Sequence, residues 1–385
     1  MDTFSANNNL NNNLNNNLSN NASHNFANLG QRLQNLAALG EYMLDNTEAR
    51  AGALKLAELQ NGWFTPANSL LMIEGIAKDW LNPTALADFV APYANAIKQQ
   101  NTSENSENKP LRLGLVLAGN IPLVGLHDII CGYLVGADMQ IKLSDKDKTL
   151  MQWVLFFLSG LPAAGANLQI VEQLKPPFDR VIATGSDNSG LHFEQYFAKY
   201  PNIIRKNRNS VAILTGEETA ADFKKLGLDI FRYFGLGCRS VSKIYVPQGY
   251  DFVPLMRQLD IYKDIANHVK YCNNFDYNRS IFLINKVHHY INDCIMVLES
   301  AAPQSRIATV HYEFYTGTLD LSARLAAALP TLQVAVAGDK VRMDLLQYDE
   351  LSDLPLLEFG QSQCPMLSDF ADNIDTMQFL ISAKV

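Results

Sequence analysis

Between residues 111 and 186 short apolar runs alternate with helix-type patterns, and that alternation leaves few folds open to the chain. Leu111 to Leu117 reads as a buried strand, followed by Ala118-Gly119-Asn120-Ile121-Pro122 and a helix to about Val135. Met139 to Leu143 is a second strand and Leu150 to Leu158 a second helix. Leu168 to Val171 and Arg180 to Thr184 are further strands, the latter ending at Gly185-Ser186. Strands separated by helices at this spacing predict an α/β protein with a parallel sheet of the nucleotide-binding type. Such sheets gather ligands at the carboxyl ends of their strands. Asn120, Lys142, Gly185 and Ser186 all fall at those ends.

The remainder divides around this region. Residues 1–28 include a Leu/Asn repeat from Asn7 to Asn21 with too little apolar surface to offset ordering entropy, which predicts a disordered tail. Helical patterns from about Leu29 carry Leu33, Leu36, Leu39, Met43 and Leu44 on one stripe. They join the alternating region in a first domain, 29–208, with a polar surface loop from Gln99 to Lys109. A second α/β domain, 209–346, opens on the strand Ser210 to Leu214. A helix from Thr219 to Phe234 follows, with Phe223, Leu226, Ile230 and Phe234 on one face. The last segment, 347–385, is expected to return to the first domain or to pack against a partner subunit.

Composition removes several function classes. The net charge of −8 argues against a nucleic-acid partner, which requires a basic face. No apolar run is long enough to span a bilayer; Trp153 to Leu158 reads as buried helix. The five cysteines include no Cys-x-x-Cys pair, and no secretory signal opens the chain, so a reducing cytoplasm is expected. His288 and His289 lack partners at metal-ligand spacing, and no metal is expected.

Chemistry concentrates at Phe234-Gly235-Leu236-Gly237-Cys238-Arg239, between the helix and a β-type run from Lys243 to Pro247. Two glycines permit backbone conformations that other residues resist, and they clear room beside the thiol. Cysteine is well suited to hold an acyl group as a thioester.

Four motifs in order, Ala118-Gly119-Asn120-Ile121-Pro122, Lys142-Leu143-Ser144-Asp145, Ala183-Thr184-Gly185-Ser186 and Phe234-Gly235-Leu236-Gly237-Cys238, resemble the aldehyde dehydrogenase superfamily. Within it the chain is most similar to bacterial acyl-CoA reductases of the LuxC type, the fatty-acid reductase subunits. That likeness is carried by Val181 to Asn188, Ile203 to Arg208 and Phe359-Gly360-Gln361-Ser362-Gln363. The resemblance covers roughly Gly114 to the C-terminus. It implies a Rossmann-type nucleotide-binding domain followed by an α/β catalytic domain, an NADPH cofactor and an acyl-CoA or acyl-protein thioester substrate. A homo-oligomer or an acyl-protein synthetase partner is compatible with it. Residue by residue, it makes Cys238 the nucleophile and Asn120 the oxyanion donor. Lys142 and Asp145 match ribose ligands, and Gly185 with Ser186 lines the cofactor cleft.

Two departures from the family pattern narrow the reading. Hydrolytic members carry a water-activating glutamate where this chain has Ile204-Arg205-Lys206-Asn207 or its neighbours, which favours acyl exchange with a thiol; Glu217 and Glu218 remain as displaced candidates. The diphosphate-binding Gly-x-Gly turn is also missing between Val171 and Phe178, where Glu172-Gln173-Leu174-Lys175-Pro176-Pro177 stands. The implied reaction is therefore reduction of an acyl thioester to an aldehyde by way of a cysteine acyl-enzyme. The alternative is an acyl shuttle that uses the same cysteine without reduction.

Each residue also has a plainer reading. Cys238 can be a buried small hydrophobe, and Asn120 an N-cap for the helix after Pro122. Lys142 can be a solvated strand-end charge, Asp145 a cap for the helix near Lys148, and Gly185-Ser186 an ordinary turn. Arg205, Lys206 and Arg208 form a basic cluster that suits CoA phosphates or simply a solvated face. His127, Cys131, Cys272 and Cys294 read as packing residues. Cys364 sits in what reads as a structured loop, Gln361 to Pro365, that could approach the active site.

Overall fold

The computed structural model describes residues 29–102 and 110–382. The expected disordered tail, 1–28, lies outside the described residues. The polar loop expected from Gln99 is shorter than that: a helix continues from Ala94 to Thr102, anchored by the fully buried Ile97, and 103–109 lie outside the described residues. The chain forms two compact units. The first contains residues up to Lys206 together with Met366–Phe370 and the segment from Ile374, and the second contains Asn207–Pro365 and Ala371–Asn373.

The first unit is built on five parallel strands. These are β1 (Arg112–Val116), β2 (Asp138–Lys142), β3 (Asn167–Ile170), β4 (Arg180–Thr184) and β5 (Asn202–Arg205), in the order β3-β2-β1-β4-β5. Their bounds lie within a residue or so of those expected wherever a strand was read, because β1 and β4 are buried on both faces while β2 and β3 alternate buried and more exposed positions. Leu113 to Val116 of β1 are all buried, as befits the centre of a sheet covered on both sides. Register places Val116 beside Lys142 on one neighbour and Ala183 on the other, which brings three strand ends level.

The helix Leu126–Val135 follows β1 and is almost wholly buried. It closes at Gly136, left-handed at φ 76°, where a side chain would run into Arg32. Arg32 donates to the Leu134 and Ala164 carbonyls at 2.8 Å each, so the cation completes a helix C-terminus from inside the core. Arg32 stands on the first helix, Leu29–Leu44, whose Leu36, Leu39 and Met43 are fully buried while Leu44 turns to solvent.

The second unit carries seven strands: β6 (Asn209–Ile213), β7 (Val241–Pro247), β8 (Tyr290–Ile291), β9 (Met296–Glu299), β10 (Thr309–Tyr315), β11 (Leu332–Ala337) and β12 (Leu356–Leu357). They run in the order β12-β11-β6-β7-β10-β9-β8, parallel except for the β8–β9 pair. Between β6 and β7 lies the helix Ala220–Phe231, opened by a capping box in which Thr219 and Asp222 bond each other's backbone N–H. It ends before Phe234, because Arg232 (φ −54°, ψ 139°) leaves helical geometry. Among the described residues no helix is long and apolar enough to cross a membrane.

Candidate functional site

Between the end of that helix and β7 the backbone is forced into conformations that side chains resist. Tyr233 (φ 52°), Phe234 (φ 58°) and Gly235 (φ 73°) are three consecutive left-handed residues. For the two aromatic residues this costs roughly 1–2 kcal/mol each, and such strain persists only where the surroundings over-determine it. Here Tyr233 and Phe234 are buried, and the Phe234 ring lies 4.2 Å from the His268 ring and 6.1 Å from that of Tyr271. The chain then turns at Gly237-Cys238-Arg239-Ser240, closed by the Ser240 N–H donating to the Gly237 carbonyl at 3.0 Å. Ser210, on β6, donates from Oγ to the Cys238 carbonyl at 3.0 Å. Cys238 is half-buried and in no disulfide, so the plainer reading of a sealed core thiol does not apply.

The loop 359–364 is fixed beside this turn within the same unit. Asp229, fully buried on the helix, accepts from the Gly360 N–H (2.6 Å), the Ser362 N–H (3.0 Å) and the Ser362 hydroxyl (2.7 Å). Burial raises its carboxyl to about 6, with those hydrogen bonds pulling the other way. Gln363 Nε2 donates to Ser240 Oγ at 3.0 Å, and the exposed Cys364 accepts from Arg232 at 3.2 Å. Sequence reasoning missed Asp229 and Ser240. The available signal was an acidic residue three positions after Leu226, on the helix's apolar face.

In the first unit Lys142 is exposed at the carboxyl end of β2, on the wall of a cleft of about 500 Å³. Val116, Leu174, His192, Phe193 and Tyr196 also line it. That volume is in the range of ordinary ligand sites. Gly185 and Ser186 begin the next helix, Asp187–Phe197, which supplies much of the cleft wall. Ser186 caps it by accepting the Ser189 N–H at 3.4 Å. A Cβ on Gly185 would stand 2.9 Å from both Ser189 and Phe193, so glycine is needed for the helix to sit this close. Asp145 is exposed and does not cap the helix near Lys148; Ser144 caps the short turn there instead. Nor does Asn120 cap the helix after Pro122, since that helix begins at Leu126 with Gly125 at its cap.

The loop carrying Asn120 is held from below by Asp147, which sequence reasoning also missed. Its Oδ2 accepts the Leu123 N–H at 2.6 Å, and Leu123 is itself left-handed at φ 54°. Burial pushes the Asp147 carboxyl well above the ordinary carboxylate range. The missing Gly-x-Gly turn is replaced by a loop stapled to β2. Gln140 donates to the Lys175 carbonyl (2.9 Å) and accepts the Lys175 N–H (2.8 Å).

The basic cluster requires correction. Arg205 is buried and bonds both carboxylate oxygens of Asp128 (2.8 and 2.6 Å) and the Thr376 hydroxyl (3.0 Å). Lys206 pairs with Glu194 at 2.7 Å, and Arg208 with Asp372 at 3.0 Å. Arg205 is thus a buried structural cation and Arg208 a largely covered one, while the Lys206 pair lies at the surface. Glu218 is likewise committed, accepting from the Thr215 N–H (2.6 Å), the Thr215 hydroxyl (2.9 Å) and the Gly216 N–H (3.0 Å). His127 is a satisfied, half-buried packing residue, bonded to the Leu367 carbonyl at 2.8 Å and edge-on to Trp80 and Phe370. Cys131 and Cys294 are buried; Cys272 is half-buried beside Asp276.

No family model matches the sequence, and no curated protein does. Solved structures do match. Aldehyde dehydrogenase 21 from Physcomitrella patens, in complex with the reaction product succinate, superposes with a TM-score of 0.63 at 11% identity over 92% of this chain and 84% of its own. An NADP-dependent enzyme from E. coli gives 0.63 at 12%, over 93% and 82%. Betaine aldehyde dehydrogenase from Staphylococcus aureus, in complex with NAD+, gives 0.58 at 12%, over 85% and 74%. The fold is aldehyde-dehydrogenase-like, an α/β architecture with a Rossmann-type parallel sheet, as the motif series implied.

Proposed function

We propose that the chain is an NADPH-dependent oxidoreductase that reduces an acyl thioester, a fatty acyl-CoA, to the aldehyde through an acyl-enzyme at Cys238. The observation that carries the reading is the strained backbone at 233–235 leading into the turn of the half-buried Cys238, on an aldehyde-dehydrogenase-like fold. Strain of this kind concentrates at functional sites.

In the proposed reaction the Cys238 thiolate attacks the thioester carbonyl carbon. The bond to the CoA sulfur breaks, CoA leaves as its thiolate and takes up a proton, and the acyl group stays on Cys238. The Cys238 backbone N–H is assigned to the oxygen that becomes negative, a role in which one donor is typically worth a hundredfold or more; the family resemblance gives Asn120 the same role. The cleft in the first unit suits the adenosine portion of a dinucleotide in size and lining. Lys142 would hold the ribose there, with Asp145 in the turn after the same strand and Gly185-Ser186 after β4, outside the cleft lining itself. NADPH, when bound, supplies the hydride that takes the acyl group to the aldehyde. Release of the aldehyde returns Cys238 to its thiolate. Hydrolysis is disfavoured because no carboxylate stands at 204–207 and, of the two displaced candidates, Glu218 is occupied by three donors, which leaves the exposed Glu217 as the residue a hydrolytic variant would need.

Cys238→Ala is expected to abolish acyl-CoA-dependent NADPH oxidation, and full retention of that rate refutes the assignment. A second reading, an acyl shuttle without reduction, is favoured by the stapled loop that replaces the Gly-x-Gly turn. Titration with NADPH followed by protein fluorescence separates the two. Saturable binding supports the reductase, and its absence supports the shuttle.

A further inference from the structure

We propose that Gln363 is a positioning residue for Cys238, acting through Ser240; this deepens the acyl-enzyme reading and rests on it. Cys238 and Arg239 are the central residues of a four-residue turn whose two ends are both tied to Ser240. Its N–H donates to the Gly237 carbonyl at 3.0 Å, and its Oγ accepts the Gly237 N–H at 3.2 Å. The same Oγ accepts from Gln363 Nε2 at 3.0 Å. One buried hydroxyl thus joins the start of the cysteine turn to a segment 123 residues away in sequence. That segment is not free to follow the turn, because Asp229 holds Gly360 and Ser362 with three hydrogen bonds, and Asp229 and Ser362 are both fully buried.

The geometry makes Gln363 the link between a rigid anchor and a strained turn. With the amide in place, the Ser240 hydroxyl has one orientation and the Gly237-to-Ser240 turn one shape. Without it, the serine keeps its local bond to Gly237 but loses its reference to the anchor. The strain stored at Tyr233 and Phe234 then relaxes into the turn. A displacement of the nucleophile by about 1 Å is enough to slow its reaction about a hundredfold.

The test uses the full chain and a reaction that needs no acyl donor. Alkylation of Cys238 by iodoacetamide is followed by peptide mass, with Cys272 in the same molecules as reference. Acyl transfer from an acyl-CoA is followed alongside. Gln363→Met, which removes the donor at similar volume, and Ser240→Ala are each expected to slow Cys238 alkylation about tenfold or more, because that rate follows the thiolate fraction and the access that the turn sets, with Cys272 unchanged. Because the two act through one bond, the double variant is expected to be no slower than the slower single. Ser240→Thr keeps the hydroxyl and is expected to stay within about threefold of the parent. A Gln363→Met rate within about twofold of the parent, losses that multiply in the double variant, or a Ser240→Thr loss equal to that of alanine each overturn the proposal. Should Gln363→Met fail to fold, Gln363→Glu, which keeps the shape and replaces the donor by an acceptor, is judged by the same limits. A parent protein that alkylates at Cys238 yet accepts no acyl group counts against the reductase reading alone, and the alkylation series still decides the role of Gln363.

Discussion

Asp147 and Asp229 each spend a buried carboxylate on backbone N–H groups of a loop that bears a candidate site residue. Asp147 is the sharper case, since one of its oxygens is buried with no hydrogen-bond partner and burial drives its pKa well up. Burial favours its neutral form, for which an amide is a near substitute. Asp147→Asn should leave stability within about 1 kcal/mol of the parent. Asp147→Ala strands the Leu123 N–H and should cost about 1–3 kcal/mol in urea unfolding. Asp229 makes a pH prediction. Its folded value, about 6, lies above its ordinary value of 3.8. Its contribution is therefore fully present below that ordinary value and is lost as pH rises through the folded one. The melting temperature of the parent relative to Asp229→Asn should fall between pH 4.5 and pH 7, and a gap that stays flat with pH contradicts the account. The place of Asp229 on an apolar helix face hinted at burial, but neither role was readable from sequence, because a carboxylate reveals its role only through donors distant in the chain. The special backbone before Cys238 was readable, because Gly235 and Gly237 advertise it and Gly235 is left-handed.

At the scale of elements, strands were the easiest part to read. A sheet covered on both faces needs continuous apolar runs, so β1, β4 and β6 stand out against their polar flanks. The helix before Cys238 was read too long. Phe234 keeps the apolar spacing, but it is buried by a left-handed turn rather than by another turn of helix. The basic cluster after β5 misled for a related reason. A run of Arg and Lys looks solvated until Asp128, 77 residues earlier, is found against Arg205. This pair joins β5 to the helix Leu126–Val135, and Thr376, which opens the final helix, adds a third partner. Asp128→Ala leaves an uncompensated buried guanidinium and should cost about 3–5 kcal/mol, measurable by chemical denaturation. A loss under about 1 kcal/mol would mean that the pair is not buried as described.

At the scale of the whole chain, the proposed roles are distributed over both units: Asn120, Lys142, Asp145, Gly185 and Ser186 in the first, Cys238 in the second. The order of motifs carried the architecture from sequence, since four short signatures in register imply the fold that solved structures at 11–12% identity then match. Substrate and cofactor are less accessible to such reading, because they depend on cleft shape and on a loop whose sequence has left the family pattern. The central claim is that one sulfur carries the acyl group between thioester and aldehyde. Intact mass of the protein after incubation with a panel of acyl-CoAs, with and without NADPH, tests it most directly. The account predicts an acyl adduct on Cys238 that forms without reductant and clears, with release of aldehyde, when NADPH is added. An adduct that never forms, or that resides on another residue, contradicts it.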